Sequence, residues 1–339
     1  MKKTCILYPI ILLCLTSCNF NTGIHKTPRK GNAVYYWKTV LSPDKDEEDF
    51  LRKNQVKTMY VRFFDVDINK NSTFSDMCAP VATIDLYNLD PILDQQIEVV
   101  PVVFITPKAI KDYPSFTDNL AHRIYAMCHK HRIDIREVQF DCDWTTSTRD
   151  AYFQFLVDVR EALKQYFDTN IAISSTIRLH QLAQDPPAVD YGVLMCYNTG
   201  DFKNYDTKNS ILEIKDVKPY LKYLNTYRLP LTLALPTYSW IVMFNENKKF
   251  VTLNEYDYLE NLHDTTRYKH LKDNRYEVVD PYEINVAKYA RYEEVSAETI
   301  LEVKKLITRH YGETPVVLYH LDTKNLSKYQ DDEIKAFYK

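Results

Sequence analysis

The sequence predicts an α/β fold: a (β/α)8 TIM barrel with a small α+β insertion between its seventh and eighth strands. Three observations predict it. From Ala33 onward, β-rich apolar runs alternate with segments of helical period. The runs are apolar on both faces, as strands of a parallel sheet covered on both sides must be. Eight such runs fit into a chain of 339 residues, which suits a closed barrel better than an open sheet.

The expected strands are AVYYWKTV (33–40), TMYVRFFDV (58–66), EVVPVVFI (98–105), EVQFDCDW (137–144), IAISSTI (171–177), YGVLMCYN (191–198), LTLALPTY (231–238) and PVVLYHLD (315–322). Helical period marks DEEDFLRKN, TDNLAHRIYAMCHKH, TRDAYFQFLVDVREALKQYF and SAETILEVKKLITRH between them. The third of these starts at an expected capping box, Ser147 to Asp150. Between the seventh and eighth strands, 241–296 is longer than a βα unit needs and rich in Tyr, Lys and Asn. A structureless loop of that length is unusual in a compact domain, so it reads as a small subdomain over the barrel mouth.

Composition narrows the function. The formal charge of -3 gives no electrostatic footprint for nucleic acid. With 5 glycines and no GxGxxG or GxxxxGK[ST], a nucleotide-phosphate cradle is not expected, nor is any cofactor. The 27 tyrosines read as composition bias unless a site gathers them. Cys78, Cys128, Cys142 and Cys196 match no disulfide framework or zinc spacing, and buried free thiols are expected.

The N-terminus has its own pattern. Lys2 and Lys3 precede an apolar run from Ile6 to Leu15, too short for a comfortable membrane span and suited to a signal-peptide core. Leu15-Thr16-Ser17-Cys18 resembles the bacterial lipoprotein cleavage box. That resemblance implies a leader over 1–17, lipid on Cys18 and a flexible tether over 18–32, with the barrel over 33–339. It also implies a lipid-anchored place in the bacterial cell envelope. Asn19, rather than aspartate, after the cysteine favours the outer membrane.

Barrel sites lie at the C-terminal strand ends. Those ends carry Asp65 and Asp67 on the second strand, then Asp141, Asp143 and Thr145 on the fourth. Arg178 and His180 follow the fifth, Tyr197 and Asn198 end the sixth, Tyr238 and Trp240 the seventh, His320 and Asp322 the eighth. Strand parity puts Glu137, Gln139, Asp141, Asp143 and Thr145 on the inward face, and Val138, Phe140, Cys142 and Trp144 against the helices. Carboxylates at i and i+2 lie roughly 6–7 Å apart along a strand. In a low-dielectric site one of the two should then titrate high, as a general acid does beside a charged neighbour. Structural roles are equally open: the aspartates can cap the next helix or pair with Arg178. Asp65, Asp141, Asp143 and His320 include metal-ligand types, but no metal-binding spacing supports a metal. Trp240 is the expected stacking platform for a sugar ring, Trp37 a floor residue, and Trp144 core.

The segment from Phe140 to Thr145 resembles the strand-four signature D-x-x-D-x-D-x-E of glycoside hydrolase family 18, the chitinase-type barrels. Met195-Cys196-Tyr197-Asn198 is similar to the family's M-x-Y-D, and Leu235-Pro236-Thr237-Tyr238 to its L-P-x-Y, in the same order. The strings STIRLHQ and DCDWTTSTR resemble a set of bacterial lipoproteins related to those barrels. The resemblance implies that Asp143 orients a substrate acetamido group and that Tyr197 helps hold it. Three positions depart from it. Val138 stands for the first aspartate and Thr145 for the acid glutamate, and a threonine hydroxyl has no useful acidity near neutral pH. Asn198 replaces an aspartate but keeps its hydrogen-bonding reach.

Three functions follow, all with a glycan or the cell surface as partner. In the first, a glycoside hydrolase uses Asp143 and Asp141 for catalysis. Tyr197, Asn198, Tyr238, Trp240, Arg178, His180 and Asp65 then bind substrate. In the second, the barrel is a non-catalytic chitinase-like lectin, because Thr145 replaces the acid. In the third, it is a surface scaffold. Buried carboxylates are costly to keep without a use, which places hydrolysis first. Sugar, linkage and oligomeric state are not legible in the sequence.

Overall fold

The computed structural model describes residues 31–68, 78–255, 259–279 and 286–339. The expected leader (1–17), the lipidation site Cys18 and the tether up to residue 30 lie outside the described residues. So do 256–258 and 280–285 of the insertion.

All eight expected strands form, and they close into a barrel. β1 (Asn32–Tyr36) pairs in parallel with β2 (Val56–Ile68), and β3 (Cys78–Val81) adds antiparallel to the end of β2. β4 (Glu98–Ile105), β5 (Glu137–Asp141), β6 (Ala172–Arg178), β7 (Tyr191–Met195) and β8 (Leu231–Pro236) continue the parallel order. After the insertion strands β9 (Trp240–Phe244), β10 (Phe250–Asn254), β11 (Tyr268–Lys272), β12 (Arg275–Val278) and β13 (Tyr289–Glu293), the chain returns as β14 (Val316–Tyr319). β14 pairs with β8 on one side and β1 on the other, with Val317 opposite Ala234 and Ala33. The barrel therefore has no open edge.

The helices Thr117–His131, Arg149–Leu163 and Ala297–Tyr311 pack outside the barrel. β5 shows how the sequence divides the two faces. Phe140 meets Phe155 of the helix edge to face at 5.1 Å, and Trp144, fully buried, meets Phe153 at 5.3 Å. The inward side of β5 is polar and almost fully hydrogen-bonded. Tyr35 donates to Gln139 at 2.6 Å, Gln139 to Ser174 at 3.2 Å, Ser174 to Glu137 at 2.5 Å and Thr176 to Asp141 at 2.6 Å. Burying so many polar groups is tolerable because each finds a partner.

Two local expectations change. β5 ends at Asp141 rather than Trp144, so alternation does not carry the inward face out to Thr145. The capping box at Ser147 does not form: Thr148 is the N-cap residue and makes no side-chain cap bond. Its hydroxyl instead accepts from the Thr145 amide at 2.9 Å, and the Ser147 hydroxyl lies 3.0 Å from that of Thr145. A closed serine–threonine turn has displaced the cap.

The insertion is a five-stranded antiparallel sheet in the order β10-β9-β13-β12-β11. A buried ion pair fastens it to the loop after β7. Arg291 meets Glu293 at 2.5 Å and donates to the carbonyls of Phe202, Asn204 and Tyr205 at 2.8 to 3.0 Å. Glu293 accepts from the amide and hydroxyl of Ser210, both at 2.6 Å. The four cysteines of the barrel are free thiols, three of them buried.

Candidate active-site cleft at the barrel mouth

The C-terminal ends of β5 to β8 and the root of the insertion surround a cavity of about 680 Å³. Its wall includes Asp143, Arg178, His180, Tyr197, Trp240 and Glu255. Asn198 lines it too. Volume does not single it out, since a cavity of about 810 Å³ lies between the insertion and the loop after β7. Its chemistry does, because strand-end charges and aromatic rings meet here at the barrel's C-terminal face.

The two aspartates after Phe140 differ. Asp141, the last residue of β5, is buried beneath the mouth and accepts from Thr176. Burial pushes its carboxyl up to about 6; Arg178 pulls it down and Asp143 pushes it up. Asp143 lies beyond the strand, with its side chain 47 % exposed, and pairs with Arg178 Nε at 2.5 Å. The strand-four pair is thus one buried carboxyl and one half-exposed carboxylate held by a cation. His180 lies on the exposed rim, and partial burial followed by the Arg178 charge lowers its pKa.

Tyrosines pack behind the Tyr197 wall. Tyr319, at the end of β14, stacks on Tyr197 with centroids 4.7 Å apart. It meets Tyr238 edge to face at 5.4 Å and Trp37 at 5.7 Å. Tyr238 donates to Asn198 Oδ1 at 2.5 Å. Asn198 has a left-handed backbone (φ 53), which asparagine tolerates better than most side chains. The Tyr197 hydroxyl is buried and has no hydrogen-bond partner among the described residues. Such a group carries a desolvation cost that a ligand's polar atom would relieve.

Several expected residues take other positions. Asp65 is buried in an ion pair with Arg62, whose guanidinium lies 5.3 Å from the Trp37 ring. Tyr238 supports the wall through Asn198. Trp240 borders the cavity but is only 3 % exposed, so it is a wall and not a projecting platform. His320 is buried, and burial lowers its pKa to about 4. Asp322 caps the helix Thr323–Leu326. Among the described residues no group of three or more His, Cys, Asp or Glu side chains is arranged to hold a metal ion.

Two residues are not legible in the sequence: Tyr319, packed behind the cavity wall on Tyr197, and Glu255, in the wall itself. Tyr319 is one of 27 tyrosines, and the charged His320 and Asp322 mark the same strand end. Glu255 lies one residue beyond Asn254, which pairs with Ile241 in the β9–β10 hairpin. That register returns the chain to the level of Trp240, and so to the mouth.

Fold and site together define an α/β barrel with a polar, aromatic-lined cleft at the C-terminal face. Its shape is that of the glycoside hydrolase family 18 chitinases. A chitinase from Chromobacterium violaceum superposes with a TM-score of 0.56 at 13% identity, covering 91% of this chain and 97% of that one. A GH18 chitinase from Cycas revoluta, solved in complex with (GlcNAc)3, gives 0.56 at 10% identity, covering 91% and 99%. A chitinase from Bacteroides thetaiotaomicron gives 0.50 at 12% identity, covering 91% and 93%. At these identities the likeness establishes the fold. No protein-family model matches the sequence, and a comparison with curated proteins finds no match.

Proposed function

We propose that the barrel mouth binds an oligosaccharide of N-acetylated sugars, of the chitin type. The observation that carries this reading is the buried, unpartnered Tyr197 hydroxyl in the wall of a cleft that also presents the Asp143–Arg178 pair. An acetamido group offers a carbonyl acceptor and an N–H donor, which matches a hydroxyl donor beside a carboxylate acceptor. Rings of Phe202, Tyr220 and Phe250 in the same wall suit the apolar face of a sugar. The fold likeness supports the same class of ligand, since a similarly shaped chitinase was solved with (GlcNAc)3.

The strand-four residues alone favour binding over turnover. Thr145 stands in the place of the acid, and its hydroxyl is engaged by Ser147. Asp143 is held by Arg178, and Asp141 is buried below the cavity. Calorimetric titration of the protein with chitotriose tests the reading: saturable binding is expected, and heats no larger than dilution would refute it.

We also propose that Cys18 carries lipid and tethers the barrel to the cell envelope. The basic start, the short apolar run and the Leu15-Thr16-Ser17-Cys18 box support this. Labelling with an alkynyl fatty acid in a bacterial host should mark the protein and fail to mark Cys18→Ser. Equal labelling of both would overturn the proposal.

A further inference from the structure

We infer that the cleft also hydrolyses the glycan it binds, with Glu255 from the insertion as the general acid. The inference rests on the glycan reading above, and it assigns the chemistry to a residue outside the strand-four segment.

The argument begins with register. β9 starts at Trp240, soon after β8 ends at Pro236, and β10 runs back antiparallel until Asn254 lies opposite Ile241. Continuing that pairing by one residue brings Glu255 level with Trp240. On the other side of β9, Trp240 is paired with Glu293. Two glutamates therefore flank Trp240 from the strands on either side of β9, and their surroundings divide their roles. Glu293 is fully buried, and both its oxygens are taken by Arg291, Ser210 and Trp240. Glu255 is half-buried and lines the cavity, as Asp143 does.

The remaining carboxyls near the mouth are committed elsewhere. Asp141 lies beneath the cavity on Thr176, and Asp65 is paired with Arg62. Asp143 and Glu255 are thus the two carboxyl groups of the cavity wall among the described residues. Asp143 has its cation at 2.5 Å and suits the charged role. Arg62, Tyr238 and Tyr319 are electrostatic neighbours of Glu255. Burial raises its carboxyl above the ordinary range and Arg62 pulls it back.

The step balances with these two groups and one water molecule. The bond from the anomeric carbon to the bridging oxygen breaks, its electron pair goes to that oxygen, and the oxygen takes the Glu255 proton. The Asp143 carboxylate faces the positive charge that develops on the sugar ring. A water oxygen then bonds the anomeric carbon, and its proton returns to the Glu255 carboxylate.

The experiment compares the full protein with Glu255→Gln and Glu255→Asp, measuring chitotetraose binding by calorimetry and cleavage by chromatography. The inference expects slow but measurable cleavage by the native protein and a loss of about 100- to 10,000-fold in kcat for Glu255→Gln. It expects unchanged affinity in that variant and an intermediate rate for Glu255→Asp. A dinitrophenyl chitobioside, whose leaving group needs no proton, should still be cleaved by Glu255→Gln; a merely structural role would lose both substrates equally. Cleavage undiminished in Glu255→Gln overturns the inference. Binding without cleavage by the native protein also overturns it and leaves the glycan reading standing, whereas no binding removes both.

Discussion

Trp240 donates its indole N–H to Glu293 across 3.0 Å, linking the cleft wall to a charge network in which Arg291 is fully buried. The two residues are register partners on β9 and β13. A buried glutamate with four donors thus sets how the insertion sits on the barrel mouth. Glu293→Ala leaves the Arg291 guanidinium without its counter-charge. We expect a loss of about 3–5 kcal/mol in unfolding free energy, measured by urea denaturation. The pair Arg291→Met with Glu293→Leu should lose less than Glu293→Ala alone, because no charge then stays unpaired.

Tyr197 gives opposite signs for stability and binding. Its buried hydroxyl has no partner among the described residues, so Tyr197→Phe should leave thermal stability equal or slightly higher. Chitotriose affinity should fall roughly 2–10-fold, the worth of one hydrogen bond. A variant that binds as tightly as the native protein would remove the hydroxyl from the account.

Asp141 makes stability depend on pH. Its folded value, about 6, lies above the ordinary 3.8, so the folded state holds the proton more tightly than the unfolded chain. The associated stability is fully present below about pH 4 and is lost as pH rises through 6. Asp141→Asn keeps the acceptor for Thr176 and removes this loss. It should stabilise the protein at pH 8 by on the order of 1–3 kcal/mol and change little at pH 3. Denaturant midpoints at the two pH values decide the matter.

Arg178 balances both aspartates. Arg178→Met leaves Asp141 and the half-exposed Asp143 without their cation, which should raise the Asp141 pKa further. We expect about 1–3 kcal/mol of destabilisation at pH 8, less at pH 4, and loss of chitotriose binding. Equal destabilisation at both pH values would show that packing of the arginine stem, not charge, dominates.

The barrel was legible because its signals are local. Eight apolar runs and the helices between them are read from periodicity, and the alternation through Glu137, Gln139 and Asp141 gave the inward polar face. Asp143, Arg178, Tyr197, Asn198 and Trp240 were legible as strand ends, and the fold brings them to one cavity. The reading weakened where neighbours in sequence stopped setting the geometry. Thr145 left the inward face because β5 stops early, and its turn with Thr148 displaced the expected cap. Glu255 needed the register of the β9–β10 hairpin, a non-local pairing that alternation in weakly amphipathic strands does not specify. Tyr319 was one tyrosine among 27 until the barrel set it against Tyr197.

A crystal of the protein soaked with chitotetraose tests the central claim most directly. The account predicts sugar density in the mouth cavity, with an acetamido group between the Tyr197 hydroxyl and Asp143 and the Glu255 carboxyl beside a glycosidic oxygen. An empty mouth at saturating sugar, or sugar bound only elsewhere on the surface, would contradict it.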